Sequence, residues 1–516
     1  MMAAQLDSLG RRIFRDTANV TTVNLVAQAL AYVLAAYVAA TFGATSQTDA
    51  INLALIIPTF AANVVREAIK SVMVPQLVET RVNQPDRLAS VATQGVLLVA
   101  GATLAVTALL ALALPAIMAA LTRFTAPETQ TLALDLAFVL LPMLPFVAVT
   151  GALTAVFNAH HRFRLPTALL GIDALAKMAA VAALAAGIGI YSLAVGYVLG
   201  PVIGVVILVV VGIALGLLGR VQRGSAEGLR RISKGAVLPL VGLSLLQLNP
   251  FIDRTMASWL APGSVTALNY AERITAIPYI IVGAGFFSVL LAHWSDVAAR
   301  EGSDGLRRAL RNATGMVIYT LAPIVVLMAV LRVDIVALLL QRGAFDAEDT
   351  ALTASALGFL AIGVLPNYLS LLVSRAFLSA KDIVTPTWLG VLNAVLNLGL
   401  NAALIGPFGL PGIALSTALT WTIVSLIGYV VLRRRLGPLD VRSLLRPTAF
   451  IALAALLAAL AAVLVRNAIP GGGFLMLVVR LAVAGGIGVA VYVAVTVIGR
   501  VEEAAKLKFL LRRGMA

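Results

Sequence analysis

Apolar residues run along this chain in stretches of 20 to 30, rich in Ala, Leu, Val and Gly and separated by short polar segments. A bilayer core takes roughly 20 mainly apolar residues per helix, whereas a barrel strand needs about 9–11 alternating ones. Lipid offers no hydrogen bonds, so each stretch must satisfy its own backbone, and the pattern predicts helices. Fourteen spans follow, near 20–42, 50–76, 91–121, 131–157, 166–188, 192–218, 236–260, 266–292, 313–340, 351–379, 384–405, 411–432, 447–465 and 474–498. Spans 2 and 8 are the least apolar, which points them toward protein or a water-filled cavity.

Composition agrees with an all-α polytopic membrane protein. Of 516 residues, 61% are hydrophobic and 12% charged, against about 45–50% and about 25% in a soluble domain. The net charge of +15 sits in short basic clusters between apolar runs, with few aromatics among them. That placement reads as topology signal and contact with anionic lipid heads, not nucleic-acid binding. Arg11, Arg12, Arg15, Arg81, Arg87, Arg162, Arg164, Arg220 and the run Arg433–Arg435 fall on alternate sides from the few outer cations, Arg123, Arg342 and Arg466. The alternation predicts an even number of spans with both termini in the cytoplasm of a multi-pass protein. The N-terminal residues lack the pattern of a signal peptide.

The chain repeats itself. The segment beginning at Pro166 matches the one beginning at Pro386 without a gap, placing Asp173 against Asn393 and Lys177 against Asn397. Spans 5–6 thus correspond to spans 11–12 in the same orientation, a parallel repeat of two six-helix bundles. The expected organisation is a first bundle over 1–219, a basic linker over 220–235 and a second bundle over 236–435. Two extra helices and a basic tail follow over 436–516.

Enzyme chemistry finds little support. There are no cysteines and three histidines, His160, His161 and His293, none at metal-binding spacing. No phosphate-binding glycine loop is present, so neither an enzyme activity nor a cofactor is expected. Charges within spans are the informative residues, because each costs roughly 2.5–3.5 kcal/mol at mid-membrane. Arg66, Glu67 and Lys70 lie in span 2, with Arg66 and Lys70 one turn apart on a shared face. Asp253 and Arg254 close span 7, Glu272 and Arg273 open span 8, and Arg375 lies late in span 10. Asp173 and Lys177 read equally as a self-neutralising pair or as cavity groups. The stripe Asn393, Asn397, Asn401 reads first as glue between helices. Arg66 and Arg273 are the better functional candidates, since an inward guanidinium grips phosphate in a bidentate way. Pro58 and Pro278 break spans 2 and 8 at corresponding positions, as in helices that move around a substrate.

Four segments carry a family resemblance: FGATSQTDAINLALIIP, VFNAHHRFRLPT, LNPFIDRTMASWLAPGSVTALNYAERITAIP and LLLQRGAFDAEDTALTASAL. They resemble the MurJ/MviN family of lipid II flippases, within the multidrug/oligosaccharidyl-lipid/polysaccharide (MOP) exporter superfamily. The resemblance implies alternating access and a central cationic cavity for a polyprenyl pyrophosphate-linked sugar. It also implies a groove for the lipid tail in spans 13–14. Arg273 and Asp49 match family positions. The family's arginines in spans 1 and 2 would fall near Gln28, Leu34 and Ala62–Asn63, none of them basic, and Arg66 lies one turn further on. The expected substrate is therefore lipid II or, given those departures, another undecaprenyl-linked glycan such as an exopolysaccharide precursor. Arg273, Arg66, Lys70, Gln28, Asn63 and Arg375 are the expected substrate contacts. Asp49, Glu272, Asp253 and Arg254 are the expected gate. The implied partners are the lipid-linked saccharide, membrane lipids and a coupling ion (Na+ or H+) or the membrane potential, with the chain acting as a monomer. The rival is a drug/cation antiporter of the same superfamily, whose cavity should be acidic or aromatic. The candidate charges here lean basic, and the chain has four Trp.

Overall fold

Backbone groups that cannot find water must find one another, and the computed structural model of the chain is built of helices throughout its membrane-length segments. It describes residues 2–122, 125–221, 248–279, 284–437, 442–470 and 473–505, with side chains from 21 in the first helix, 294 in the long central one and 445 in the penultimate one. Contacts divide the chain into two compact units, Met1–Gly263 and Ser264–Ala516.

The first unit comprises α1 (Met2–Phe42), α2 (Ser46–Ala54), α3 (Ile56–Asn83), α4 (Leu88–Leu121), α5 (Pro127–Leu140), α6 (Met143–Ala159), α7 (Arg164–Ile188), α8 (Tyr191–Ala214) and α9 (Leu248–Ala257). Ile69, Met73 and Leu77 of α3 pack with Ala92 of α4, Ala152 and Val156 of α6 and Leu208 of α8 in its apolar core. The second unit comprises α10 (Ser264–Thr275), α11 (Ala284–Val330), α12 (Arg332–Leu340), α13 (Ala347–Ser379), α14 (Val384–Phe408), α15 (Leu410–Leu436), α16 (Arg442–Ala468) and α17 (Phe474–Ile498). Helix α11 is bent at Gly302, whose φ of 64° and ψ of −152° are not helical. The appended pair α16–α17 docks on α11 through Ala454, Ala458 and Tyr492, whose hydroxyl donates to the Tyr319 carbonyl at 2.6 Å.

Among the described residues, eleven helices are long and apolar enough to span a membrane, or twelve if α5 and α6, bent by 40°, count as one. This is a multi-pass membrane protein. Of the remaining two expected spans, 236–260 is described only from 248 onward, and 266–292 is described except for 280–283. Helix α9 falls in the first of them, and α10, the short stretch after it and the start of α11 fall in the second.

The break in span 2 falls at Leu55, three residues before Pro58. Proline lacks an N–H and its ring clashes with the carbonyl four residues back, so the disruption appears a turn upstream. Thr59 N–H and hydroxyl both return to the Leu55 carbonyl, at 2.9 and 2.5 Å.

The repeat is structural as well as sequential. Helices α5 and α13 start at 127 and 347, α6 and α13 end at 159 and 379, and α7 and α14 run over 164–188 and 384–408. Gly189 (φ 56, ψ −132) and Gly409 (φ 61, ψ −134) turn the chain identically. His161 and Lys381 share positive φ, 57° and 62°. The following residues close the same turn, Arg162 N–H to Phe157 O and Asp382 N–H to Phe377 O, both at 2.9 Å.

The copies differ in what fills that turn. Asp382 accepts from the Thr385 N–H at 3.0 Å and hydroxyl at 2.7 Å, and pairs with Arg435. Burial pushes its carboxyl up, but the Thr385 bonds, the Arg435 guanidinium and the Val384 N–H together hold it below the usual carboxylate range. The resulting stabilisation is present at neutral pH and lost as pH falls through that depressed value.

Candidate functional site

The three ionic residues of span 2 all line one cavity. In the first unit Asn63, Arg66 and Lys70 of α3 line a cavity of about 660 Å³, with Thr150 and Thr154 of α6, Asp173 and Lys177 of α7 and Tyr197 of α8. Its ionic groups are three cations, Arg66, Lys70 and Lys177, and two carboxylates, Glu67 and Asp173. The lining therefore leans positive.

Two ionic clusters face this space. Arg66 Nη2 donates to Asn63 Oδ1 at 2.9 Å, and Lys70 donates to Glu67 Oε1 at 2.8 Å. Arg66 Nε lies 3.4 Å from the same Glu67 oxygen, within ion-pair range but without hydrogen-bond geometry, and is buried with no hydrogen-bond partner. A guanidinium has five donors in a planar fork, so much of its capacity is left for an incoming anion. On α7, Lys177 Nζ donates to Asp173 Oδ2 at 2.6 Å and lies 4.1 Å from the centre of the Tyr197 ring, a cation–π contact. The Lys177 side chain is only 12% exposed. It sits thirteen residues into α7, about 20 Å along the helix axis, deep in the span.

Missing side chains create this arrangement. A Cβ on Gly151 of α6 would lie 2.7 Å from Arg66 Cγ. On α8, a Cβ at Gly196 would lie 2.8 Å from the Lys177 Cα, and one at Gly200 would lie 2.1 Å from Asp173 Oδ1. Small residues four apart are the usual device for close helix approach in membranes. At Gly196 the obstacle is backbone and cannot rotate away. Gly196→Ala is therefore expected to separate α7 from α8 and lower stability by about 1–3 kcal/mol. Thermal unfolding in detergent reads this, and an unchanged midpoint would show that the helices adjust without cost.

The repeat-related positions are filled differently. Asn397 and Asn401 of α14 are fully buried. Asn401 donates to Asn397 Oδ1 at 3.3 Å, Asn397 to Thr417 at 3.4 Å, and Ser416 to the Asn397 carbonyl at 3.2 Å. Thus the asparagine stripe ties α14 to α15. Where the second unit has Asn397 beneath Ser416, the first has Lys177 beneath Gly196: the side chain removed from one helix makes room for the ion on the other.

The other expected site residues are dispersed. Gln28 of α1 is half-buried and is not among the residues lining the cavity. Asp49 is 5% exposed and accepts the Gly263 N–H at 2.7 Å. Gly263 has a φ of 88°, and a Cβ there would lie 2.4 Å from the Ala44 carbonyl, so the two turns touch through a position only glycine fits. Asp253 is buried and Arg254 half-buried on α9. In the second unit, Arg273 Nε donates to Asn269 Oδ1 at 2.9 Å, and Glu272 and Arg375 are half-buried. Among the described residues no cluster of His, Asp or Glu could hold a metal ion.

The cluster least visible in the sequence involves Asp334 of α12, which is 1% exposed and bonded by both Arg466 of α16 and Arg480 of α17. The signal was present: Asp334 and Arg480 are opposite charges inside separate apolar spans, and each needs a partner.

The sequence pattern of the lipid II flippase MurJ family matches residues 38–483. A probable lipid II flippase MurJ of Thermotoga maritima is 27% identical over 483 residues, covering 92% of this chain and 94% of that one. A solved lipid II flippase MurJ in an inward closed conformation superposes with a TM-score of 0.79 at 19% identity, over 93% of this chain and 98% of that one. An inward-facing multidrug resistance transporter of the MATE family, in the MOP superfamily, gives 0.67 at 15% identity, over 81% and 98%. The match along the sequence covers most of the chain and the fold agrees with it: the chain belongs to the lipid II flippase MurJ family.

Proposed function

We propose that this protein moves a polyprenyl pyrophosphate-linked saccharide, lipid II first among them, from the inner to the outer leaflet by alternating access. The observation that carries the reading is the cation-rich cavity of the first unit, inside a chain of this family. Arginine is absent at Gln28, Leu34 and Asn63, yet Arg66, Lys70 and Lys177 supply positive charge to the cavity from other positions. A drug/cation antiporter would need the opposite polarity. Arg66 and Arg273 bind the pyrophosphate, with Lys70, Asn63, Gln28 and Arg375 in support. Asp49, held against the Gly263 turn, belongs to the gate with Glu272, Asp253 and Arg254. The bundles span 1–219 and 236–435, both termini lie in the cytoplasm, and the chain works as a monomer. The membrane potential or a Na+ or H+ gradient drives it.

Reconstitution in proteoliposomes tests this. Lipid II is expected to cross, and Arg273→Ala to slow it at least tenfold. A protein that carries only an undecaprenyl pyrophosphate-linked oligosaccharide has the right mechanism and a changed sugar specificity. Failure to move either substrate refutes the proposal.

A further inference from the structure

Lys177 is the least exposed cation of the cavity, and the bland account of it is a salt bridge that neutralises Asp173. Three observations exceed that account. The pair lines the same cavity as Arg66 and Lys70. Its ammonium is shared between a carboxylate oxygen at 2.6 Å and the Tyr197 ring at 4.1 Å, so the cation keeps a favourable seat if the carboxylate is exchanged for another anion. Two glycines, Gly196 and Gly200, make room for the pair on the facing helix, where the second unit places Ser416 and Thr420. A pair serving only to hold α7 against α8 needs no ions, since the second unit joins the equivalent helices through neutral Asn397, Ser416 and Thr417.

We propose that Lys177 is a phosphate ligand held in reserve. Asp173 and Tyr197 store it, and the pyrophosphate of the carried lipid takes the ammonium from Asp173. Lysine suits this exchange: its three donors rotate freely and act as a point charge, unlike the fixed fork of Arg66. Asp173 then does two things. It lowers the affinity of the empty site for anions, and it reclaims Lys177 when the headgroup leaves, which favours release. The inference rests on the pyrophosphate-lipid reading above, and it adds a specificity-determining pair that competes with the substrate instead of merely contacting it.

The opposing signs of two single variants test it. Radiolabelled undecaprenyl pyrophosphate is the probe, bound to the full chain in nanodiscs of neutral lipid, with thermal unfolding as the check on folding. Lys177→Met is expected to weaken binding about tenfold, the worth of one charged contact. Asp173→Asn, which still accepts from Lys177 but no longer competes as an ion, is expected to tighten it several-fold and to slow release. The double variant is expected to bind as weakly as Lys177→Met alone. A purely structural pair predicts otherwise: both single variants weaken binding in the same direction, and the neutral double recovers it. That pattern overturns the proposal, as does tight binding by Lys177→Met. Sensitivity to Arg66→Ala with indifference to Lys177 overturns this inference and leaves the flippase reading standing. Lys177-dependent binding without any flipping does the reverse. No binding by the unaltered protein overturns both.

Discussion

Arg66→Ala is expected to reduce flipping of lipid II by roughly 30- to 150-fold, from the loss of charged hydrogen bonds worth about 2–3 kcal/mol. Folding should survive, because the side chain is 33% exposed and its bond to Asn63 is local to α3. Arg66→Lys should recover only part of the rate, since an ammonium keeps the charge and loses the bidentate geometry. An independent variant reaches the same group from behind. Gly151→Ala puts a Cβ 2.7 Å from Arg66 Cγ, which should displace the guanidinium while leaving its charge intact. Initial rates in proteoliposomes, normalised to incorporated protein, provide the measurement. Full activity of Arg66→Ala would remove it from the site and shift the weight of the cavity to Lys70 and Lys177.

Asp334→Ala carries the largest expected cost to stability. The carboxylate is buried and bonded by both Arg466 and Arg480, which are 30% and 20% exposed. Removing it leaves two guanidinium groups facing each other without an anion, and breaking a buried ion cluster this way costs about 3–5 kcal/mol. Because the two arginines belong to α16 and α17, the loss should fall on the docking of that pair against α12. Thermal unfolding in detergent is expected to drop by several degrees. Replacing all three groups together, Asp334→Leu with Arg466→Met and Arg480→Met, should restore most of the loss, since a packed apolar trio avoids the desolvation of the ions. If Asp334→Ala unfolds like the unaltered protein, the cluster contributes specificity of docking and not stability.

Much of the fold was legible in the chain because spanning a bilayer is a local demand. Length and apolarity of each stretch depend on neighbouring residues alone, so most of the spans could be read without knowing what they pack against. The 220-residue repeat was visible for the same reason, and it proved deeper than the sequence match suggested, extending upstream of the matched segments to the shared positive φ of His161 and Lys381. Inside the spans, charges announced themselves by their cost, and Asn63, Arg66 and Lys70 do line one cavity.

Which charges meet is a different kind of question. Helices such as α7 and α8 are apolar nearly all round, so no periodic stripe says which face turns inward. Their rotation is set by close approach at Gly196 and Gly200, whose contacts lie on another helix. Only the tertiary structure could therefore put Lys177 on the wall that holds Arg66, turn Asn397 into glue at the equivalent place, and bring Asp334 to arginines more than a hundred residues away. The sequence by itself determined that the chain is a bundle of membrane helices with buried cations to account for. The packing of small residues, a non-local property, decided which of those cations share a cavity and which are spent holding helices together.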